Sequence, residues 1–211
     1  MPLERIVATA LRILDDEGPD ALTLRALAQR LESSTATLYR HFDGRSDLLA
    51  AVVDRILGEI DLGDDEIAPS DWQEACRRMA TTMFDVLRRH RNAAPLLAEH
   101  VPVGRNAMLH RERGLALLLE AGFAPPLAAR AYTTIARHVL GFAMQLSRDG
   151  VAEQRDDEQV AEFVHHLDPD DFPATLAVAD ALPVPLQEEF SFGLQLILAG
   201  LAELHEGDGA R

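Results

Sequence analysis

Residues Leu22–Leu49 read LTLRALAQRLESSTATLYRHFDGRSDLL, and this stretch decides the fold. Leu24, Leu27, Ala28 and Leu31 recur at helical spacing behind Thr23, a residue type that caps helix starts. Ser34 or Thr35 caps a second short helix, expected to end near Phe42. Leu38 and Phe42, four residues apart, give it an inward face. Asp43-Gly44 turns the chain, and Ser46 is placed to cap a further helix, with Asp47 complementing its dipole. The outward positions carry Arg, Thr, Tyr and His, whereas acids dominate the rest of the chain. This is the layout of a helix-turn-helix whose second helix enters the DNA major groove.

The groove helix then spans about Thr35–Phe42. Thr35, Ala36, Thr37 and Arg40 face outward. Their short side chains let the backbone approach base edges, and Thr and Ala methyls suit thymine. Tyr39 and His41 are placed to donate to phosphates, which fixes register without reading sequence. Arg25, beside the capping Thr23, is placed to reach a guanine edge bidentately. Arg45 and the following helix start suit a phosphate.

Composition sets the frame around this motif. The chain has 211 residues and a formal net charge of −15, which argues against indiscriminate coating of nucleic acid. Positive charge must be local, and residues 23–45 hold Arg25, Arg30, Arg40 and Arg45 against only Glu32 and Asp43. The chain has no lysine. Cys76 is the single cysteine, so no internal disulfide forms; a reducing cytoplasm is expected. No apolar run is long enough to span a membrane, and the N-terminus lacks the layout of a signal peptide.

Helical periodicity is nearly continuous, so an all-α fold is expected. Leu3, Ile6, Val7, Ala10, Leu11 and Leu14 form an apolar stripe that Gly18-Pro19 ends. A helix from Ser46 runs through Leu48, Leu49, Val52, Val53, Ile56, Leu57 and Ile60. Residues Asp61–Ser70 read as a loop and Trp72–His90 as a helix. Pro95, Pro102 and Gly104 break the next segment into short pieces. Asn106–Ala121 and Pro125–Ser147 read as helices, and Arg148–Glu158 as a mobile loop. Two short helices, Val160–Leu167 and Pro169–Ala181, precede a strongly apolar one, Pro183–Leu204. Two domains are expected: a three-helix helix-turn-helix domain at 1–46, and a larger helical ligand-binding and dimerisation domain at 47–211.

TLYRHF followed by DGRSDLL resembles the signature of the tetracycline-repressor (TetR) family, and LTLRALAQRL resembles its preceding helix. Glu32-Ser33 stands where the family commonly has Gly-Val, and the proline often found near the start of the groove helix is absent. Further on, DWQEACRRMATTMFDVLRRHRNAA, LLLEAGF and FSFGLQLILAGLAEL resemble the C-terminal domain of the tetracycline repressor itself. The resemblance implies a homodimer joined by a four-helix bundle of the last helix and the long helix before the loop. Phe190, Leu194, Ile197, Leu198 and Leu201 are apolar enough for such an interface, with Gly193 and Gly200 permitting close approach; a buried core helix in a monomer reads the same way.

The resemblance also implies a cavity for a small-molecule effector, but not the family's metal chelate. Its chelating histidines, asparagine and glutamate fall at Asp61, Leu97, Met79 and Gln145, and its glutamine falls near Arg113. Leu97 and Met79 offer no oxygen to a hard cation, so tetracycline–Mg²⁺ is not the expected effector. Candidate ligand-binding residues are Met79, Met83, Leu97, His100, Arg113, Arg137 and Gln145. Arg137 on an apolar helix meets either an acidic ligand or an acid of a partner subunit. His165, His166, Asp168, Asp170 and Asp171 lie close in sequence, but adjacent histidines point to different helix faces, so no metal site is expected. No catalytic triad, phosphate loop or dinucleotide pattern is present, and no cofactor or catalysis is expected. The expected function is a transcriptional repressor that binds palindromic double-stranded operator DNA as a homodimer and lets go on binding its effector. An activator of the same fold, or a small-molecule-binding protein with a vestigial helix-turn-helix, would carry the same residues.

Overall fold

The computed structural model describes residues 1–61, 71–99, 102–147 and 159–209, with eleven α-helices and no strand among them. The expected loops at Asp61–Ser70 (beyond Asp61 itself) and Arg148–Glu158 lie outside the described residues.

The head is built from α1 (Leu3–Glu17), α2 (Leu24–Arg30) and α3 (Thr35–Leu38). Ile6, Val7, Ala10, Leu11, Ile13 and Leu14 of α1 are buried, against α2 and against α4 (Arg45–Leu57). Gly18 ends α1 in the left-handed region at φ 84°, its N–H reaching back to the Leu14 carbonyl. Thr23 caps α2, its Oγ1 accepting the Ala26 N–H at 3.1 Å.

The end of α2 makes the tight turn. Ser33 N–H donates to the Ala28 carbonyl and Glu32 N–H to that of Gln29, the paired bonds of a Schellman motif. That motif requires a left-handed residue at position 32, and Glu32 takes φ 50° there. Glu-Ser in place of Gly-Val therefore strains the backbone at this turn. Glu32→Gly is expected to relieve about 1 kcal/mol, raising the melting temperature by about 2–4 °C in a calorimetric scan.

Ser34 caps α3, its Oγ accepting the Thr37 N–H at 3.3 Å. The regular helix stops at Leu38, shorter than the expected Thr35–Phe42. Turns carry the chain on, with His41 and Phe42 N–H groups donating to the Leu38 carbonyl. Leu38 and Phe42 both lie in the core, as their spacing requires. α4 starts one residue before Ser46, behind Gly44 and without a side-chain cap. Asp47 instead turns back to accept the Asp43 N–H at 3.0 Å.

The body comprises α5 (Trp72–Arg89), α6 (Ala94–Glu99), α7 (Arg105–Glu120), α8 (Pro125–Ala143), a short helix α9 at residues 159–165, α10 (Pro173–Ala177) and α11 (Leu186–Gly209). Pro95 does not break its segment; it sits in the first turn of α6, where a missing N–H costs nothing. α8 ends at Ala143 and tightens into a 3-10 turn, Met144–Ser147, short of the single helix expected. α5, α8 and α11 pack together around a stack of aromatic rings. Phe84 and Phe190 lie face to face at 4.3 Å, and His138 stacks on Phe190 at 5.2 Å.

α11 corrects one expectation. Phe190, Leu194, Leu198 and Leu201 are buried against their own chain, and a Cβ on Gly193 would strike the His138 ring at 2.6 Å. These residues serve the monomer core. A different stripe of α11 faces outward: Phe192, Leu196 and Leu204 are 63%, 57% and 59% exposed, with Gly200 open beside them. An evenly apolar helix has no sequence signal that says which side meets its own core.

Head and body meet at a polar junction. The His90 ring lies 3.0 Å from Asp15 through Nδ1 and 3.0 Å from Glu59 through Nε2. The ring thus bridges the two carboxylates. Asn92 Nδ2 donates to the Leu14 and Asp15 carbonyls at 2.9 and 3.2 Å. The end of α5 therefore holds α1, and His90 also holds the chain just beyond α4.

Candidate nucleic-acid interface and ligand cavity

The turn and caps leave a consistent outer surface on the head. Arg25, Thr35, Ala36, Arg40 and His41 are exposed, Thr37 is half-buried, and Tyr39 is 58% exposed despite its aromatic ring. Thr23 is exposed but committed to its cap. Among the described residues Arg25 and Arg40 have no carboxylate partner, whereas Arg30 pairs with Glu17. Arg45, expected at a phosphate, also has a role within the fold. Its Nε donates to the Leu22 carbonyl at 3.0 Å and its Nη2 to that of Pro19, so it ties the start of α4 to the loop before α2. That loop exposes carbonyls after α1 ends, and the guanidinium satisfies two of them.

A cavity of about 670 Å³ lies in the body between α4, α5, α7 and α8. Met79, Met83, Leu97 and Arg137 line it, as the sequence placed them. Arg113 and Gln145 do not line it and are exposed, while His100 lies outside the described residues. The lining arginine of α7 is Arg111. Two residues along a helix is a rotation of about 200°, which turns Arg113 to the far side. Gln145 falls on the 3-10 turn after α8, where the changed winding carries it away from the cavity.

Sequence reasoning missed His110, Arg111, Gly114 and Tyr132 in this wall. The available signal was Arg111 and Gly114, three apart on one face of α7. A Cβ on Gly114 would lie 2.9 Å from the Tyr132 ring, so only glycine admits that ring beside α7. His110 Nε2 lies 2.8 Å from the Leu57 carbonyl, the last of α4. Burial pushes the His110 imidazole below its ordinary value, its bond to Leu57 opposes this, and the Arg113 charge adds to the lowering. The neutral ring therefore donates through Nε2 at pH 7. Cys76 also lines the cavity, and burial raises its thiol to about 11, so it is neutral and unreactive there.

Leu57, the last residue of α4, and Ile60 just beyond it are themselves part of the lining. Below them α7 grips α4 by further bonds: Ala107 N–H donates to Asp54 Oδ1 at 3.0 Å, and Asn106 Nδ2 to the Asp54 carbonyl at 2.9 Å. The helix that leaves the head thus ends as a wall of the cavity.

His165 and His166 each turn back to a carbonyl of their own helix, Ala161 and Glu162, and His165 also meets Asp180 at 3.1 Å. That carbonyl first, then the carboxylate, raise the His165 pKa. No described helix is long and apolar enough to cross a membrane.

Residues 6–52 match the family described as bacterial regulatory proteins, tetR family, and residues 67–205 match the tetracyclin repressor-like C-terminal domain. The chain is 30% identical to the HTH-type transcriptional repressor DrrR1 of Streptomyces coeruleorubidus, over 97% of this chain and 78% of that one. It is 26% identical to the class G tetracycline repressor of Vibrio anguillarum, over 94% and 92%. Its fold superposes on the TetR family protein ActR of Streptomyces coelicolor, solved with actinorhodin, with a TM-score of 0.87 and 33% identity, covering 97% of this chain and 98% of that one.

Proposed function

The chain belongs to the TetR family of bacterial transcription regulators, and from that premise we propose that it is an effector-released repressor acting as a homodimer in the cytoplasm. Residues 1–46 read palindromic operator DNA and residues 47–211 bind the effector and the second subunit. The observation that carries the reading is the shared helix: α4 begins behind the groove helix and ends, at Leu57, in the cavity wall.

In this reading α3 lies in the major groove. Thr35, Ala36, Thr37 and Arg40 approach base edges, Arg25 reads a guanine, and Tyr39 and His41 hold phosphates. Thr23 and Arg45 act one step back, by fixing the backbone that presents them. A molecule filling the cavity presses on Leu57, Ile60 and the His110 bond, and α4 swings the head. DNA affinity then falls by as much as the effector prefers the swung state. Regulators of this family bind operator DNA and small molecules, and ActR has been captured with actinorhodin. Met79 and Leu97 line the cavity without an oxygen to offer, so we read it as closed to tetracycline–Mg²⁺.

Gel shifts on operator DNA test the docking. Arg25→Ala, Tyr39→Ala and His41→Ala should each weaken binding about 5–100-fold. Loss of Arg25 should relax sequence preference, and loss of His41 should weaken all sites alike. Wild-type affinity in all three variants contradicts the model of binding.

The second subunit docks on the outward stripe of α11 together with the outer face of α8. Leu196→Asp with Phe192→Asp is expected to give monomers by light scattering. Unchanged dimers would place the interface elsewhere.

A further inference from the structure

The cavity differs from the rest of the molecule in its charge. The chain carries 35 acidic residues against 20 arginines, yet among the described residues no Asp or Glu lines this space. Its two charged lining residues, Arg111 and Arg137, are both cations. Four arginines elsewhere pair with carboxylates: Arg30 with Glu17, Arg55 with Glu59, Arg77 with Glu74, Arg88 with Asp85. Arg111 instead donates to the Met108 thioether at 3.4 Å, a weak acceptor that leaves its charge uncompensated. Arg137, exposed in the middle of α8, has no hydrogen-bond or ion-pair partner among the described residues, which leaves its guanidinium free at the cavity edge. The rest of the wall is mostly apolar, His110 and Thr133 aside, with Met79 and Met83 as adaptable contact surface.

We infer that the effector is an apolar molecule bearing a carboxylate, its body in the cavity and its acid at the mouth between Arg137 of α8 and Arg111 of α7. This rests on the reading of the cavity as the effector site. A guanidinium matches a carboxylate with two parallel N–H donors, so the pair fixes which end of the molecule enters first. The acid would bridge α7 and α8, and α7 is the helix that holds Asp54 and Leu57 of α4. Charge recognition and movement of the head would then share one helix.

Calorimetric titration of the intact protein with anthraquinone-2-carboxylate and its neutral carboxamide tests this. The carboxylate should bind about tenfold tighter, the gain of one hydrogen bond to a charged group, and the advantage should shrink with added salt. In Arg137→Gln, and further in Arg111→Gln/Arg137→Gln, the advantage should fall toward unity, and an unchanged melting temperature shows that the variants fold. Equal affinities in the wild type, an advantage that survives in the double variant, or no binding of either probe each overturn the inference. An Arg137 that pairs with an acid of the second subunit would show itself as weakened dimers with the carboxylate advantage intact, which also counts against it. A protein that binds the carboxylate by these arginines but never binds operator DNA keeps this inference and sinks the repressor reading instead.

Discussion

Ala36→Glu should abolish operator binding, by about a hundredfold or more, while leaving the fold intact. Ala36 is exposed on α3, so the longer side chain costs the folded protein little. In the docked state the same position faces base edges, where a carboxylate both blocks close approach and meets phosphates of like charge. Several kcal/mol are lost when like charges are juxtaposed at an interface, enough to remove specific binding. Fluorescence anisotropy with labelled operator DNA measures this, and an unchanged melting temperature shows that the loss is local. Ala36→Ser, small and uncharged, should bind within a few-fold of wild type. Tight binding by Ala36→Glu would mean that α3 does not enter the groove.

His90→Leu should be the most damaging single change at the junction. It leaves the Asp15 and Glu59 carboxylates facing an apolar side chain, without the ring that bridges them. Their side chains are 29% and 25% exposed, so water relieves only part of the cost. Losing two hydrogen bonds to charged groups, discounted for that exposure, comes to about 3 kcal/mol. For a chain of this length the melting temperature should fall by about 6–12 °C. Asp15→Asn in the His90→Leu background should recover part of the loss, because it removes one of the opposed charges. A fall of less than 2 °C would mean that the junction does not hold the head.

The head was legible in the sequence because its signals are local. Thr23 and Ser34 cap the residues three positions on, and Leu38 and Phe42 follow from helical spacing. Even the strain at Glu32 could be read, since the turn demands a left-handed residue. The bonds of Arg45 within the fold were not legible because its partners, Leu22 and Pro19, lie more than twenty residues back and become neighbours only in the fold. The His90 junction joins residues 75 and 31 positions apart and left no sequence signal at all. In the cavity, apolar lining residues were found and polar ones were mixed. Met79, Met83 and Leu97 sit on clear apolar faces, but moving from Arg113 to Arg111 reverses the side of the helix, and alignment at this distance does not fix phase that finely. For α11 the difficulty was the opposite: too many apolar residues, and no polar face to orient them.

The central claim is that this chain reads a two-fold symmetric DNA site with a pair of α3 helices. Selection of bound sequences from a random duplex pool by the intact protein tests it most directly. The expected result is enrichment of an inverted repeat whose half-site centres lie about one helical turn, about 34–36 Å, apart or a multiple of it, lost when the pool is selected with Ala36→Glu. Recovery of no enriched sequence, or of a single unrepeated half-site, would contradict it.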